Sequence, residues 1–168
     1  FPDEGRLVNH ALAFGMGDFN PHYFNYPALS MYLLFVLYGG YFVIGYISGI
    51  FASVSDFQQL FFQNPTSFYL IGRIWIALTG VGVIALTYRL GKAAFRNSSV
   101  AVLGCLLLLS LPYFSYYCHI IGTDILQMFF ILLAFIFILK ISRGGATKHY
   151  LLAGIFIGLG TATKYTPI

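Results

Sequence analysis

Phe68-Tyr-Leu-Ile-Gly-Arg-Ile-Trp-Ile-Ala-Leu-Thr-Gly-Val-Gly-Val-Ile-Ala-Leu-Thr-Tyr88 decides the fold class. Arg73 is its one charged residue. Wound as an α-helix at 1.5 Å per residue, the run reaches about 31 Å, the thickness of a bilayer's hydrocarbon core. It ends in Arg89, Lys92 and Arg96, cations of the kind that hold a span's end on the cytoplasmic side. The whole chain agrees: 59% of its residues are hydrophobic, 19% aromatic and only 8% charged. Soluble domains carry about 25% charged residues, so this chain cannot clothe itself for water. It reads as an all-α, polytopic membrane protein. Its excess of nine Lys and Arg over five Asp and Glu clusters at the ends of apolar segments. That is a topology signal and excludes a nucleic-acid surface.

Toward the C-terminus, residues 99–117, 125–139 and 150–163 are further apolar segments, giving about four spans in 68–168. Lys140, Arg143 and Lys148 form a second basic cluster, two spans after the first, so both clusters can face the cytoplasm. Asp124 and Lys164 then fall together on the opposite face. Gly154, Gly158 and Ala162 recur every four residues, a spacing suited to close helix packing. Cys105 and Cys118 fit neither a disulfide framework nor metal-ligand spacing.

Toward the N-terminus the chain is more polar. Residues 4–16 carry Leu7, Val8, Ala11, Leu12 and Phe14 on one helical face, with Arg6, Asn9 and His10 interleaved. A helix this short and amphipathic lies in the membrane interface. Asn20-Pro21 marks a turn, and His22-Tyr-Phe-Asn-Tyr-Pro27 mixes aromatic and polar groups as headgroup-level sequence does. Residues 28–54 are long enough to cross but are interrupted by Gly39-Gly40, Gly45 and Gly49. If they cross, Asp3 and Asp124 lie on opposite sides; if they are re-entrant or interfacial, the two share a side. Residues 55–67 form a second interfacial connector. The chain opens at Phe1 and stops at Pro167-Ile168 right after an apolar run, so it reads as a piece of a longer protein.

Few residues can carry chemistry. Asp3-Glu4 has two readings: first-turn carboxylates favoured by the helix dipole, or a general base at the membrane surface. Asp124 either caps the next helix or serves a site. Arg73 and Lys164 sit inside or at the rim of apolar segments, where a cation needs a partner unless it snorkels to headgroups. His10, His22 and His119 have no diagnostic metal spacing and read as polar interfacial residues. His149, beside Lys148, reads as solvated.

Several motifs in order carry a resemblance. Asp3-Glu4 heads a first loop, Asn20-Pro-His-Tyr-Phe-Asn-Tyr-Pro27 follows, and Gly72-Arg73 precedes a helix ending Tyr88-Arg-Leu-Gly-Lys92. His119 and Asp124 stand at the mouth of the next loop, before Gly158-Leu-Gly-Thr-Ala-Thr-Lys-Tyr165. Together these resemble the GT-C membrane glycosyltransferases, in particular the protein O-mannosyltransferase and aminoarabinose transferase-like group. The resemblance implies a sugar taken from a dolichyl- or undecaprenyl-phosphate carrier and passed to a hydroxyl of a lipid, glycan or protein. It implies that Asp3 is the catalytic base with Glu4 beside it, and that Asp124 orients the acceptor or the base. It also implies that residues 1–67 are a first external loop with interfacial helices, so that 28–54 do not cross.

Attack at the sugar C1 needs a base for the acceptor hydroxyl, and departure of phosphate needs fixed positive charge. Lys164 or Arg73 supplies that charge, His119 and Tyr26 are further substrate contacts, and aromatic residues in 23–46 line a groove for the isoprenoid tail. No cofactor is demanded; a divalent metal ion is compatible with the reaction, with no ligand assigned. Where aminoarabinose transferases carry Glu-Lys before the loop proline, this chain has Asn25-Tyr26, so their contacts at that site do not carry over. The expected protein is an inverting, multi-pass glycosyltransferase of the plasma membrane, working at the external face among membrane lipids. The competing expectation is a transporter or lipid-binding protein in which Arg73, Asp124 and Lys164 line a substrate path.

Overall fold

The computed structural model describes residues 2–165, and every regular element among them is helical. Its axis is α4, Thr66–Phe95, a 30-residue helix that extends the apolar run at both ends. At about 45 Å it is longer than a hydrocarbon core. Lys92 sits in its last turn, and Arg96 closes it in the left-handed conformation with φ 55°.

From the Arg96 end, here called the distal end, the chain returns through α5, Ser98–Ser110, and α6, Pro112–Tyr117. Asn97 caps α5 by accepting from the Ser99 and Val100 amides. The single span expected over 99–117 is therefore broken, with Leu111 extended at the junction. Pro112 is the reason: it has no N–H to continue the helix, and its ring disfavours helical backbone at the residue before it. α7, Asp124–Ile141, and α8, Thr147–Thr163, complete the bundle as a hairpin turning at Gly144, whose φ is 82°.

α4 meets its neighbours where its side chains are smallest. A Cβ at Gly72 would come within 2.4 Å of Ile121, one at Gly80 within 2.5 Å of the Cys118 sulfur, and one at Gly82 within 2.8 Å of Phe129. Around these contacts Ile76, Val83, Phe114 and Ile125 form one buried cluster. In α8 the small residues do not pack as their spacing suggests. A Cβ at Gly154 or Gly158 would meet no heavy atom of the described residues within 4 Å, and the helix buries Ala153, Gly160 and Thr163 instead. A four-residue repeat fixes a stripe on a helix but not which stripe faces inward.

The N-terminal part builds a second cluster on the opposite end of the bundle. α1, Pro2–Ala13, buries Glu4, Leu7, Val8 and Ala11 at helical spacing and leaves Asp3, Arg6 and Asn9 outward. Leu7 and Val8 contribute about 2 kcal/mol each if removed from water on docking. They pack with Phe14, Met31, Leu34, Tyr38, Phe68 and Ile121.

α2, Leu29–Ile47, α4 and α7 are the three helices of the described residues long and apolar enough to cross a membrane. Yet α2 meets α4 at its first two turns: Leu34 lies against Gly72, and the Tyr38 hydroxyl donates to the Phe68 carbonyl at 3.3 Å. Farther along, Tyr41 and Phe42 pack on Phe51 and on Phe57 of α3, Val54–Gln63. The connector expected over 55–67 is thus largely helical, because Ser53 and Asp56 form a reciprocal capping box. Of the rings in 23–46 expected to line an isoprenoid groove, Tyr38 and Tyr41 pack edge-on against Phe68, and Tyr41 also meets Phe57.

Candidate active site

The polar residues singled out in the sequence gather at the end of the bundle opposite Arg96. α1 brings Asp3 and Glu4 there, the start of α4 brings Arg73, and the loop before α2 brings Tyr26. The start of α7 and the end of α8 supply Asp124 and Lys164.

Asp3 and Glu4 are neighbours with opposite environments. Glu4 points into the bundle with its side chain 2% exposed. Arg73 grips it with both arms, Nε donating to Oε1 at 2.8 Å and Nη2 to Oε2 at 2.9 Å. The Ile121 amide donates to Oε1 at 3.2 Å. Burial pushes the Glu4 carboxyl up, but Arg73 and the Ile121 N–H outweigh it and hold the group below its ordinary 4.5. Glu4 thus ties α1 to α4 and to the segment entering α7.

Asp3 is one residue away on the outer face, 58% exposed. Its Oδ2 accepts a long hydrogen bond from the Tyr26 hydroxyl at 3.4 Å, and its Oδ1 lies 3.7 Å from Arg6. Neither contact closes the carboxylate to a ligand. Tyr26 lies within the fields of both Asp3 and Lys164: burial and Asp3 raise its phenol, while Lys164 opposes. Tyr23 stacks on His10 with ring centroids 4.9 Å apart and places its hydroxyl at Arg6, which raises the guanidinium further.

Lys164 donates to Asp124 Oδ1 at 2.6 Å across the α7–α8 hairpin, with both side chains partly exposed. Its backbone is fixed as well, since the Gln127 side-chain amide donates to the Lys164 carbonyl at 3.1 Å. Tyr165 donates to the Phe24 carbonyl at 3.3 Å, which draws the α8 end and the Tyr26 loop together. Asp3, Tyr26, Asp124 and Lys164 therefore share one end of the molecule. His119 is exposed, its Nδ1 2.7 Å from the Ser115 carbonyl, two residues before the amide that Glu4 holds.

Arg73 and Lys164 differ as donors of positive charge. Arg73 commits two of its five N–H donors to Glu4, whereas Lys164 commits one of its three to Asp124 and is the cation whose field reaches Tyr26 beside Asp3. Among the described residues no three His, Cys, Asp or Glu side chains converge to hold a metal ion. His22 pairs with Asp18 at 2.8 Å in the loop preceding Tyr26. Sequence reading missed Gln127 and the Ile121 amide. An amide side chain one turn after Asp124, inside an otherwise apolar helix, was the available signal for the first; a backbone donor leaves none.

The fold and this cluster define a helical membrane protein with a polar site at one end of its bundle. The sequence pattern of the dolichyl-phosphate-mannose-protein mannosyltransferase family matches residues 54–168, more than half of the chain, and the chain belongs to that family. It is a membrane glycosyltransferase chain of the kind that draws sugar from a polyprenyl-phosphate carrier. The transporter reading gives way to this finding. No curated protein and no solved structure matches the chain. The matched residues hold Arg73, His119, Asp124 and Lys164, while Asp3, Glu4 and Tyr26 precede them.

Proposed function

We propose that the chain forms the catalytic end of an inverting glycosyltransferase, with Asp3 as general base and Lys164 on the departing phosphate. The observation that carries this reading is the division of the carboxylates. Glu4 is closed by Arg73 and Ile121, Asp124 gives one oxygen to the Lys164 ammonium, and Asp3, 58% exposed, is the most open of the three to an incoming hydroxyl. The acceptor oxygen forms a bond to the sugar C1 as its proton passes to the Asp3 carboxylate. The C1–O bond to phosphate breaks, and its electron pair leaves with the phosphate, whose charge Lys164 meets. Attack from the face opposite the leaving group inverts the anomeric carbon. Glu4, Arg73 and Asp124 are then positioning residues, the first two for α1 and the last for Lys164. Tyr26 steers Asp3, and His119 stands at the rim as a substrate contact.

The six cations at the distal end support a cytoplasmic position for that end, and with it an external site. On this reading α2 lies along the membrane surface rather than across the bilayer, since its contacts with α4 fall at the site end. The sugar, hexose or pentose, and the acceptor, lipid, glycan or protein, are left to assay.

The test is transfer of labelled sugar from polyprenyl-phosphate mannose and from a polyprenyl-phosphate pentose by the full-length protein, wild type beside Asp3→Asn. Loss of the general base is expected to lower kcat by about 100-fold or more. Undiminished transfer at normal expression would remove Asp3 from the mechanism. A product with the donor's anomeric configuration would exclude single displacement.

A further inference from the structure

The chain's nine Lys and Arg divide into two groups. Arg6, Arg73 and Lys164, at the site end, each face a carboxylate, at 3.7, 2.8 and 2.6 Å. Arg89, Lys92, Arg96, Lys140, Arg143 and Lys148 lie at or beyond the distal ends of α4 and α7 and at the start of α8. The sequence there contains no Asp or Glu at all: none occurs between Asp56 and Asp124, and none after Asp124. Topology alone explains why cations gather at that end. It does not explain what is built between them.

Below these cations a groove of about 570 Å³ runs between α4, α5 and α7. Leu90, Ala94, Leu103, Gly104, Phe135 and Ile138 are among its walls. Its two hydroxyls are turned away: Thr87 donates to the Val83 carbonyl at 2.8 Å and Ser142 to the Leu139 carbonyl at 2.9 Å. The lining thus offers hydrocarbon and no free donor. At the mouth, next to Ser142, Arg143 donates through Nη2 to the Ala93 carbonyl at 2.5 Å, which anchors its guanidinium between α7 and α4. The remaining guanidinium N–H groups stay available there.

We propose that this groove is a binding site for an anionic phospholipid of the distal leaflet, one acyl chain lying between α4, α5 and α7 and the headgroup phosphate on Arg143. The apolar lining selects a hydrocarbon chain, and the cations without acidic partners select a negative headgroup. The site is separate from the proposed catalytic end and does not depend on its assignment.

Native mass spectrometry of the purified full-length protein, offered equal phosphatidylglycerol and phosphatidylcholine, tests it. The wild type retains phosphatidylglycerol in preference to phosphatidylcholine. Gly104→Leu fills the groove, and a Cβ there meets no described atom within 4 Å, so the variant keeps the fold. Arg143→Gln removes the charge at the mouth. Arg143→Gln is expected to lower bound phosphatidylglycerol about fivefold, the factor a single cation at the surface commands, and Gly104→Leu to lower it by occupying the acyl-chain space, each with helicity unchanged. Equal retention of the two lipids by the wild type overturns the proposal, as does unchanged retention in both variants. A wild type that binds neither lipid overturns it too, and would mean that another part of the protein covers the groove.

Discussion

Glu4 and Asp3 differ by one methylene and one position, and the helix makes them opposites. With 3.6 residues per turn, Glu4 shares a stripe with Leu7, Val8 and Ala11, all buried, while Asp3 falls on the outer face with Arg6. The stripe was legible in the sequence. The partner was not, because Arg73 lies 69 residues away and the Ile121 amide 117 away. Glu4→Gln keeps the shape and removes the charge. With Arg73 half-exposed, the expected loss is about 1–2 kcal/mol, read as a lower thermal midpoint. The pH dependence follows from the direction of the shift. A carboxyl held below its unfolded value contributes fully above about 4.5, and that contribution disappears as pH falls through the lower folded value. Acidification from about pH 5 to about pH 3 should therefore lower the wild-type midpoint more than that of Glu4→Gln. Parallel curves would mean that the Glu4 pair contributes nothing to stability.

At the scale of elements, composition predicted helices well and their partners poorly. α4 and α7 were legible because apolar runs bounded by cations have few other uses. The break at Pro112 is a local rule in plain view, yet hydropathy averages over it. Which glycines pack could not be read, because spacing marks a stripe and tertiary contact chooses it: Gly154 and Gly158 lie open while Gly72 is filled by Ile121. That contact also governs the site. Gly72→Ala would drive a methyl into Ile121, which is 1% exposed and whose amide holds Glu4. Overpacking of this kind costs about 1–3 kcal/mol. The expected result is a lower midpoint together with reduced transfer, whereas Gly154→Ala, in open space, changes neither. Equal behaviour of the two variants would break the proposed link between that crossing and the site.

For the whole molecule, charge is sorted along the bundle axis, and the sorting yields a topology that can be measured. Single cysteines introduced at positions 3 and 164, in a background lacking Cys105 and Cys118, should react with an impermeant maleimide from the same side of sealed vesicles. A cysteine at position 148 should react only from the other side. Labelling of position 3 with position 148 would mean that α2 crosses the bilayer and that Asp3 and Lys164 do not share a site. Sequence alone left this parity open, because the glycine-interrupted stretch 28–54 satisfies the length requirement either way. The contacts of Leu34 and Tyr38 with the first turns of α4 are long-range facts that no local pattern encodes.

The grip on Glu4 also imposes an order of events on the ribosome. Once Glu4 is made, Arg73 follows 69 residues later and the Ile121 amide 117 residues later. At about 5–20 residues per second, the carboxylate waits about 6–23 s for its last partner, 117 residues on. The site can close only after the segment entering α7 has arrived, so a nascent chain arrested before Ile121 holds Asp3 but not the frame that aims it.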